Sequence, residues 1–343
     1  MIDELKTAVN ELLEGRNLSA SVMRSAVGSI MDGICSEVEI SSFLTALRCR
    51  GESVGELVGA ARAMRERATP IVCRATGLLD TCGTGGDLLH TFNISTAAAL
   101  VAAAAGQPVA KHGNRSATST NGSADVLEAM GVNLKLTADQ VGQCIDEVGI
   151  GFCFAPLLHQ AMKHVAPVRK QLGFRTIFNM LGPLTNPAGA KYQIIGTIRM
   201  ATAELMAEAL HQLGNERAFV VCGNNELDEV SLWGETAVFE VSPKGVSRHT
   251  WTAATLGLPE CQVESLRVSS AAESAEVIRQ AFAGERGPAR DMIVANAAAA
   301  LFAANRAQSI QDSVPLAETA IDSGATSNLC ERLRAWTNAE GPK

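Results

Sequence analysis

The chain has 343 residues, which is long enough for two domains, and 47% of them are hydrophobic, which is enough for a substantial core. Its formal net charge of −7 argues against general binding to nucleic acid or to anionic membranes, so we expect no nucleic-acid partner and no membrane partner. Nine scattered cysteines without a C-x-x-C pair indicate reduced thiols. The acidic, amphipathic N-terminus lacks the layout of a signal peptide, and a cytoplasmic location is expected.

Residues 1 to about 70 carry apolar side chains at helical spacing and show no strand pattern. The spaced positions are Leu5, Val9, Leu12, Leu13, Phe43, Leu44, Leu47, Leu57 and Val58. Pro70 and Gly77 then interrupt the chain, and the pattern changes. We therefore predict a small all-α domain over residues 1–72.

From residue 73 onward, short apolar strands alternate with helices, which is typical of an α/β domain with a mainly parallel central sheet. The predicted strands are Gly77–Cys82, Pro108–Lys111, Gly151–Ala155, Gln193–Ile198 and Ala218–Cys222. The predicted helices between them are Ile94–Ala105, Ala124–Met130, Ala138–Val148 and Ala203–Leu213. Thr137 with Gln140 fits a capping box at the start of the third of these helices. The large α/β domain is assigned to residues 73–155 and 188–343.

Residues 156–187 break this alternation, and their pattern predicts a helix followed by a turn. We expect this inserted segment to pack against the N-terminal helices and to complete the small domain. Farther along, Val238–Val241 and Gly245–Trp251 predict a β-hairpin. Ala272–Ala283 and Ala289–Asn305 are predicted to be helical, and one last helix is expected to fill the C-terminus.

Residues 80–123 place two glycine-dense, hydroxyl-rich loops on either side of an alanine-rich helix. The first loop, Gly83–Asp87, follows a predicted strand. Leu88 occupies the place of the last glycine of the dinucleotide-binding fingerprint, and no Walker A lysine follows, so neither nucleotide motif fits. An ordinary tight turn would explain one glycine. Three glycines with a threonine and an aspartate favour a loop whose backbone amides bind an anion, most often phosphate.

Two further segments support an anion site. Asn93–Thr96 stands at the predicted start of the alanine-rich helix. Capping alone would explain one of its polar side chains, but three favour a phosphate or a metal-bound diphosphate. Lys111–Ser116 follows a strand, at the edge where open α/β sheets bind ligands. Its lysine and arginine can pair with phosphate oxygens, which favours this function over a solvated basic loop.

Two carboxylates and one arginine extend the candidate site. Asp228 and Glu229 are adjacent, and alone they would be interpreted as solvated charge. Beside a diphosphate they suit Mg²⁺, which binds carboxylates together with substrate phosphates. Arg169, in the inserted segment, can bind a carboxylate group, although an arginine on a helix is more often surface charge.

The chain resembles the anthranilate phosphoribosyltransferase family of tryptophan biosynthesis along nearly its whole length. The resemblance rests on seven motifs in order: DTCGTGGD, TFNISTA, KHGNRS, GSADVLEAMGV, AMKHVAPVR, RTIFNMLGPLTNP and LDEVS. It implies a small α-helical domain hinged to a large α/β domain, and a homodimer. It also implies transfer of phosphoribose from phosphoribosyl diphosphate (PRPP) to the amino group of anthranilate, with release of diphosphate. The expected cofactor is Mg²⁺, with two ions per subunit.

The resemblance also implies roles for individual residues. Expected PRPP contacts are Gly83, Gly86, Asp87, Thr91, Asn93, Ile94, Ser95, Thr96, Lys111, His112, Gly113, Asn114, Arg115, Ser116, Ala117, Thr118, Ser119 and Ser123. Expected anthranilate contacts are Gly83, Asn114 and Arg169, with His112 and His159 nearby. Expected metal ligands are Ser95, Asp228 and Glu229. No catalytic acid or base is expected, because the amine attacks while neutral; catalysis would come from electrostatic stabilisation of diphosphate and from positioning.

Two positions depart from the family pattern, and both lie in residues 80–123. The family usually has glycine where this chain has Leu88, and it often has lysine where this chain has Thr120. Either change is expected to weaken PRPP affinity without changing the reaction. Two rival functions stay open: a nucleoside phosphorylase on a similar two-domain fold, and a nucleic-acid-binding member of the same superfamily, which the acidic charge disfavours.

Overall fold

The N-terminal part of the chain is a helical bundle in the computed structural model, which describes residues 2–116 and 121–340. Its helices are α1 (Asp3–Leu13), α2 (Ala20–Met31), α3 (Glu37–Arg50) and α4 (Val54–Arg65). The last three each begin after a serine whose hydroxyl accepts a hydrogen bond from a backbone amide of the first turn, namely Ser19, Ser36 and Ser53. The predicted all-α N-terminal region is confirmed.

Glu56, at the start of α4, joins three parts of this bundle, and it is fully buried. Its carboxylate accepts hydrogen bonds from the amide of Leu18 at 2.8 Å and from the amide of Ser53 at 2.7 Å. It also pairs with the guanidinium of Arg50 at the end of α3. A buried charge of this kind is stable only while its partners remain in place.

The second part of the described chain forms a seven-stranded sheet. Its strands are β1 (Leu79–Asp80), β2 (Val109–Gly113), β3 (Ile150–Phe154), β4 (Tyr192–Gly196), β5 (Arg217–Gly223), β6 (Thr236–Ser242) and β7 (Gly245–Trp251). Their spatial order is β3-β2-β1-β4-β5-β6-β7. The first five strands in this order pair in parallel, and the last two add antiparallel pairs. The sheet is mainly parallel with a hairpin at one edge, as predicted.

Twelve α-helices follow β1 in the described chain, and some of them cover both faces of the sheet. They are α5 (Ile94–Ala104), α6 (Ser123–Ala129), α7 (Ala138–Val148), α8 (Ala155–Leu158), α9 (Ala166–Leu172), α10 (Phe178–Leu184), α11 (Met200–Leu213), α12 (Ala253–Leu256), α13 (Ala271–Phe282), α14 (Pro288–Ala303), α15 (Ile310–Asp322) and α16 (Ala325–Glu340). The alanine-rich α5 and α14 pack together in the cluster on one face. On the other face, α11 lies between the sheet and α4. The described helices include none whose length and apolar run would suit a bilayer crossing.

The inserted segment, residues 156–187, contains several short helices rather than the predicted helix and turn. A 3-10 helix lies between α8 and α9, and α10 follows. Val165 and Phe178 belong to the same buried cluster as α1 to α4. The His164 ring lies so close to Gly33, after α2, that an added Cβ there would be 2.6 Å from it. The segment thus packs on the N-terminal bundle; the domain boundaries after residues 72, 155 and 187 stay a prediction.

Several predicted elements differ from the observed ones in extent, and three of these differences have a clear structural reason. β1 is shorter than Gly77–Cys82, because the chain leaves the sheet at Thr81 to begin the first glycine loop. α11 begins at Met200 rather than Ala203, since the side-chain oxygen of Asn225 accepts a hydrogen bond from the Met200 amide at 2.9 Å. The C-terminus contains α15 and α16 rather than one helix, because a turn with Gly324 at φ +75° separates them.

We predict that Glu56→Ala lowers the free energy of unfolding by about 2–4 kcal/mol, because it leaves two buried amides and one arginine without their shared partner. Urea denaturation followed by circular dichroism measures this change. Glu204→Ala on the exposed side of α11 is the matched control, for which a change of less than about 0.5 kcal/mol is expected. Equal effects of the two variants would contradict the role of Glu56.

Candidate active site

The strand order creates a crevice at one edge of the sheet. β1 lies between β2 and β4, so the chain moves to one side of β1 first and to the other side later. At such a point the loops after the two central strands diverge and leave room for a ligand at the carboxyl ends. The loop after β1, the loop after β2 and the segment after β5 all start from this edge. They carry most of the predicted site residues.

The first glycine loop is fixed against the ends of β4 and β5. The Thr84 amide donates to the carbonyl of Gly196 at 2.9 Å, and the Thr84 hydroxyl donates to the same oxygen at 3.2 Å. The Gly85 amide donates to Oδ2 of Asp228 at 2.7 Å. A Cβ on Gly83 would lie 2.9 Å from that carboxylate oxygen, so glycine is needed for the close approach.

Arg175 holds the same loop from the other side, and the sequence did not single it out. Its guanidinium donates to the carbonyl of Gly85 at 3.0 Å and to the carbonyl of Thr84 at 3.3 Å. Arg175 lies between α9 and α10, so these bonds connect the inserted segment with the glycine loop. About ninety residues separate the partners in sequence, and no local pattern indicates such a contact.

Two asparagines join the first loop and the start of α5 to the second loop. Asn93 caps α5 through its side-chain oxygen, which accepts from the Thr96 amide at 3.1 Å. The Asn93 side-chain amide donates to the carbonyl of Asn121 at 2.9 Å, and the Asn121 side chain donates to the carbonyl of Thr91 at 2.7 Å. The two predicted loops are therefore neighbours. The side chains of Ile94 and Thr96 are buried in the core, so these two residues offer backbone groups rather than side chains to a ligand.

Lys111 is a buried cation in the middle of β2, which extends two residues farther than predicted, to Gly113. Its ammonium donates to the hydroxyl of Thr81 at 3.1 Å and to the Thr81 carbonyl at 3.3 Å. The neighbouring Asp80 accepts hydrogen bonds from the His112 amide at 3.0 Å and from the Asn186 side chain at 2.8 Å. Burial raises the pKa of Asp80 to about 6, and Lys111 opposes this rise. Lys111 thus supplies positive charge at the junction of β1 and β2.

Arg115 pairs with two carboxylates of α6 in the described structure. Its guanidinium lies 2.8 Å from Asp125 and 2.6 Å from Glu128. These two carboxylates hold its pKa above the usual range. The phosphate contact of Arg115 stays a prediction. The predicted contacts Ala117, Thr118 and Ser119, and the departure at Thr120, lie outside the described residues.

The second loop otherwise lies close to α6. A Cβ on Gly113 would lie 2.3 Å from the hydroxyl oxygen of Ser123, so these two predicted contacts are adjacent. That hydroxyl donates to the Asn114 carbonyl at 3.3 Å. The Ser116 amide donates to Asp125 at 3.3 Å. The described part of the loop is therefore held by α6 on the side away from β1.

Three carboxyl groups gather beside the first glycine loop. Burial is the main cause that raises the pKa of Asp87, of Asp228 and of Glu229, and for Asp228 the value is about 7. The proximity of Asp87 raises the pKa of Asp228 further, whereas a hydrogen bond with the Ser95 backbone lowers that of Glu229. Ser95, Asp228 and Glu229 line one small cavity of about 10 Å³. Acids placed this close together in a desolvated site are stabilised by a cation.

The donor set fits a hard divalent cation such as Mg²⁺. Carboxylate and hydroxyl oxygens are its preferred ligands, and it usually keeps water or substrate phosphate in the remaining positions. Within residues 2–116 and 121–340, no group of three or more His, Cys, Asp and Glu side chains is arranged to hold a metal ion by itself. The arrangement therefore suits a cation that is completed by a phosphorylated ligand.

Two histidines and Arg169 lie towards the inserted segment. The rings of His112 and His159 are 5.0 Å apart, and burial lowers the pKa of the first to about 4 and of the second to about 3. Nδ1 of His112 is bonded to the carbonyl of Gly182 at 2.9 Å. Its Nε2 and both ring nitrogens of His159 are buried and lack a hydrogen-bond partner in the described chain. These neutral imidazoles are suited to contact a polar ligand.

Arg169 is half-buried, with its guanidinium 5.7 Å from the centre of the Phe178 ring. Burial and the nearby Arg175 lower its pKa. No carboxylate of the described residues lies within 4.0 Å of its nitrogens. A guanidinium in such surroundings is a good receptor for a ligand carboxylate.

Comparison with known proteins agrees with this geometry. Residues 6–68 match the glycosyl transferase family helical bundle domain, and residues 75–327 match the glycosyl transferase family a/b domain. The anthranilate phosphoribosyltransferase of Trichlorobacter lovleyi is 47% identical, covering 97% of this chain and 100% of that protein. That of Acetivibrio thermocellus is 48% identical, covering 98% and 97%. The chain belongs to the anthranilate phosphoribosyltransferase family.

Solved structures of anthranilate phosphoribosyltransferases have the same fold. The enzyme from Thermus thermophilus superposes with a TM-score of 0.92 at 43% identity, covering 96% of this chain and 99% of that one. The enzyme from Saccharomyces cerevisiae, in complex with PRPP and Mg, superposes with a TM-score of 0.90 at 28% identity, covering 98% of both chains. The family, the pentosyltransferase class and the fold predicted from the sequence are confirmed.

Leu88 has a backbone conformation that favours glycine. It has φ +59°, in the left-handed region that glycine adopts readily, and its side chain is 68% exposed. A non-glycine residue in this region costs about 1 kcal/mol, and the exposed side chain gains little in return. The loop therefore keeps the conformation that a glycine would favour, at a local energetic cost.

We predict that Leu88→Gly keeps or raises the free energy of unfolding, by up to about 1 kcal/mol, because release of the left-handed strain outweighs the entropy of glycine in the unfolded chain. Leu88→Ala is the matched control, since it removes the same side chain but keeps Cβ. Urea denaturation of both variants and of the wild type measures the difference. A glycine variant less stable than the alanine variant would contradict the strain at this position.

We predict that Asp228→Asn stabilises the metal-free protein at pH 8.5. The pKa of Asp228, about 7, is raised above the ordinary 3.8, so its contribution to stability is full below about pH 4 and is lost as the pH rises through 7. Asparagine resembles the protonated carboxyl and can still accept the Gly85 hydrogen bond. A gain of about 1–3 kcal/mol is expected at pH 8.5 in EDTA, and a smaller one at pH 5.5. Urea denaturation at both pH values tests this, and a pH-independent difference would contradict it.

Proposed function

We propose that the protein transfers 5-phosphoribose from PRPP to the amino group of anthranilate, giving N-(5-phosphoribosyl)anthranilate and diphosphate, in the second step of tryptophan biosynthesis from chorismate. One observation carries the proposal: a glycine loop, a helix start and buried carboxylates meet at the switch point of the sheet. Relatives support the substrates. The Saccharomyces cerevisiae enzyme was solved with PRPP and Mg, and also with 4-fluoroanthranilate.

The diphosphate of PRPP would bind between the first glycine loop and the start of α5. Backbone amides of Gly86 and of the first turn of α5 supply donors, and the helix dipole adds partial positive charge. Ser95, Asp228 and Glu229 would hold Mg²⁺, which neutralises the diphosphate as it leaves, and we propose two ions per subunit. Lys111, Asn114 and the second loop would surround the phosphoribosyl part.

Anthranilate would bind on the side of the inserted segment, with its carboxylate on Arg169. Gly83 and Asn114 would complete this pocket beside His112 and His159. The imidazoles stay neutral at physiological pH because burial holds their pKa values at about 4 and about 3. A neutral ring nitrogen can accept a hydrogen bond from the aromatic amine without needing to act as a strong base. Catalysis then rests on placing the amine in line with the bond that breaks, and on stabilising the departing charge.

The assembly and location of the protein are also proposed. Leu13, Ile34 and Val38 are exposed aliphatic side chains in the N-terminal bundle, and their exposed fractions are 73%, 60% and 75%. Exposed apolar side chains of this size suit a contact between subunits. We propose a homodimer formed through these helical bundles, and a cytoplasmic enzyme that acts on small molecules.

The reaction is tested by incubating the purified protein with anthranilate, PRPP and Mg²⁺ and following the loss of anthranilate fluorescence. We expect a loss that requires both PRPP and the metal. Two parallel incubations address the rivals: one with a nucleoside and inorganic phosphate, and one with single-stranded DNA in a gel-shift assay. Phosphorolysis of the nucleoside or tight DNA binding without anthranilate consumption would overturn the proposal.

We predict that Arg169→Ala raises the KM for anthranilate by about 10–100-fold, because it removes a charge-assisted contact with the substrate carboxylate. The KM for PRPP should change by less than about 3-fold. Lys170→Ala, the exposed neighbour on α9, is the control, and it should leave both constants unchanged. Steady-state kinetics with each substrate varied in turn gives the answer. A rise confined to the KM for PRPP would contradict the assignment of Arg169.

A further inference from the structure

Arg175 has no role in the substrate contacts proposed above, yet it bridges two parts of the active site. It belongs to the inserted segment, which packs on the N-terminal bundle and also carries Arg169. Its guanidinium nevertheless donates to two successive carbonyls of the glycine loop, those of Thr84 and Gly85, at 3.3 and 3.0 Å. The loop itself comes from the α/β part of the chain. Arg175 is therefore a direct connection between the anthranilate side and the diphosphate side.

The peptide group between Thr84 and Gly85 is held at both ends. Its carbonyl accepts from Arg175, and its N–H donates to Asp228 at 2.7 Å. The carbonyl and the N–H of a trans peptide group point in opposite directions. Arg175 and Asp228 thus lie on opposite sides of the loop and together fix the orientation of this group.

The peptide group between Gly85 and Gly86 is also oriented by Arg175. The Gly85 carbonyl also accepts from Arg175, so the N–H of Gly86 points away from the guanidinium, to the side where Asp228 lies. Because the Gly85 N–H already donates to Asp228, the Gly86 N–H is the donor that this alignment offers to an anion. Arg175 creates this alignment by holding the two carbonyls on the outside.

Gly86 leaves no room for a side chain while Arg175 is in place. A Cβ on Gly86 would lie 2.1 Å from a terminal guanidinium nitrogen of Arg175, and the residue has φ +88°. The glycine thus serves close packing against Arg175 as well as backbone freedom. A substitution at Gly86 would displace the guanidinium from the loop.

The charges around Arg175 are of both signs. Partial burial lowers the pKa of Arg175, the Asp228 carboxylate raises it, and the nearby Arg48 lowers it. No carboxylate of residues 2–116 and 121–340 forms a salt bridge with it, although Asp228 attracts it from farther away. The Arg175 side chain is exposed, so solvent weakens both the attraction to Asp228 and the repulsion from Arg48. Its clearest interactions are the two bonds to the loop carbonyls.

We propose that Arg175 is a positioning residue that orients the peptide groups between Thr84 and Gly86 so that the N–H of Gly86 meets the diphosphate of PRPP. It also ties the glycine loop to the segment that binds anthranilate. This inference rests on the proposed function. It adds to that function a physical link between the two substrate sites that does not pass through the substrates.

Calorimetry with inorganic diphosphate and Mg²⁺ tests the proposal without the chemical step. For Arg175→Ala we expect the Kd of diphosphate to rise at least 10-fold. Arg175→Lys, which offers one compact donor group in place of a fork, should recover part of the loss. Lys163→Ala, an exposed residue of the same segment, is the control and should bind as the wild type does. An unchanged Kd for Arg175→Ala would overturn the proposal.

Steady-state kinetics separates positioning from direct binding of anthranilate. Arg175→Ala should raise the KM for PRPP at least 10-fold and leave the KM for anthranilate within 2-fold. A rise confined to the KM for anthranilate would make Arg175 an anthranilate contact and would refute the positioning role. If the wild type binds diphosphate but forms no phosphoribosylanthranilate, the proposed function fails while the calorimetric test of Arg175 still stands.

A double-mutant cycle that combines Arg175→Ala with Gly86→Ala provides a second, independent test. Because the added Cβ would displace the guanidinium, each single change should remove the same contacts, and the double variant should bind diphosphate about as weakly as the weaker single variant. Hydrogen exchange of residues 83–89 should be faster in both single variants, with thermal midpoints close to that of the wild type. Independent, multiplicative losses of affinity would contradict the proposal.

Discussion

The hydrogen bond from the Gly85 amide to the Asp228 carboxylate is the contact on which the candidate site depends. It connects the loop after β1 with the segment after β5, across the intervening end of β4. The approach is close because glycines stand where the backbones meet. A Cβ on Gly196, at the end of β4, would lie 1.5 Å from the carbonyl oxygen of Asp228. No side chain fits there without moving the whole segment, so the position of the carboxylates is set by backbone packing.

An acidic protein that binds an anionic substrate must separate its charges in space. The net charge of the chain is −7, yet Lys111 is buried within β2 near Glu229, and Arg175 of the inserted segment lies close to Arg48 and Arg169. The carboxyl group of Asp228 lies on the side of the glycine loop opposite Arg175, together with those of Asp87 and Glu229. This division allows one face of the loop to take a cation with its phosphate ligand while the other face remains basic.

The sequence indicated the fold and the outline of the site, because both depend on local patterns. Each strand and helix has its own short pattern of apolar residues, and the capping box of Thr137 and Gln140 involves residues three apart. The contacts that complete the site are long-range. Asn121 and Arg175 donate hydrogen bonds to backbone carbonyls that lie 30 and 90 residues away in sequence, and no periodic pattern predicts these contacts. The pairing of Arg115 with Asp125 and Glu128 on α6 is likewise not visible in the local sequence.

Predicted helix boundaries also differ from the observed ones because of long-range contacts. α11 starts earlier than its own residues suggest, because Asn225, from a distant turn, caps it. Leu88 shows the converse case, since the loop keeps a left-handed backbone although the local residue disfavours it. In both places the surrounding structure decides the local conformation, and the local sequence alone cannot reveal it.

The buried cluster between α4 and α11 limits how the two parts of the enzyme can move. Leu57 and Ala61 on one side and Met206 and Leu210 on the other belong to one continuous apolar layer. Moving the bundle away from the sheet would expose this layer to water, and each large aliphatic side chain exposed would cost about 1.5–3 kcal/mol. Sliding α4 along α11 keeps it covered. A relative motion that slides α4 along α11 therefore costs less free energy than one that separates these two helices.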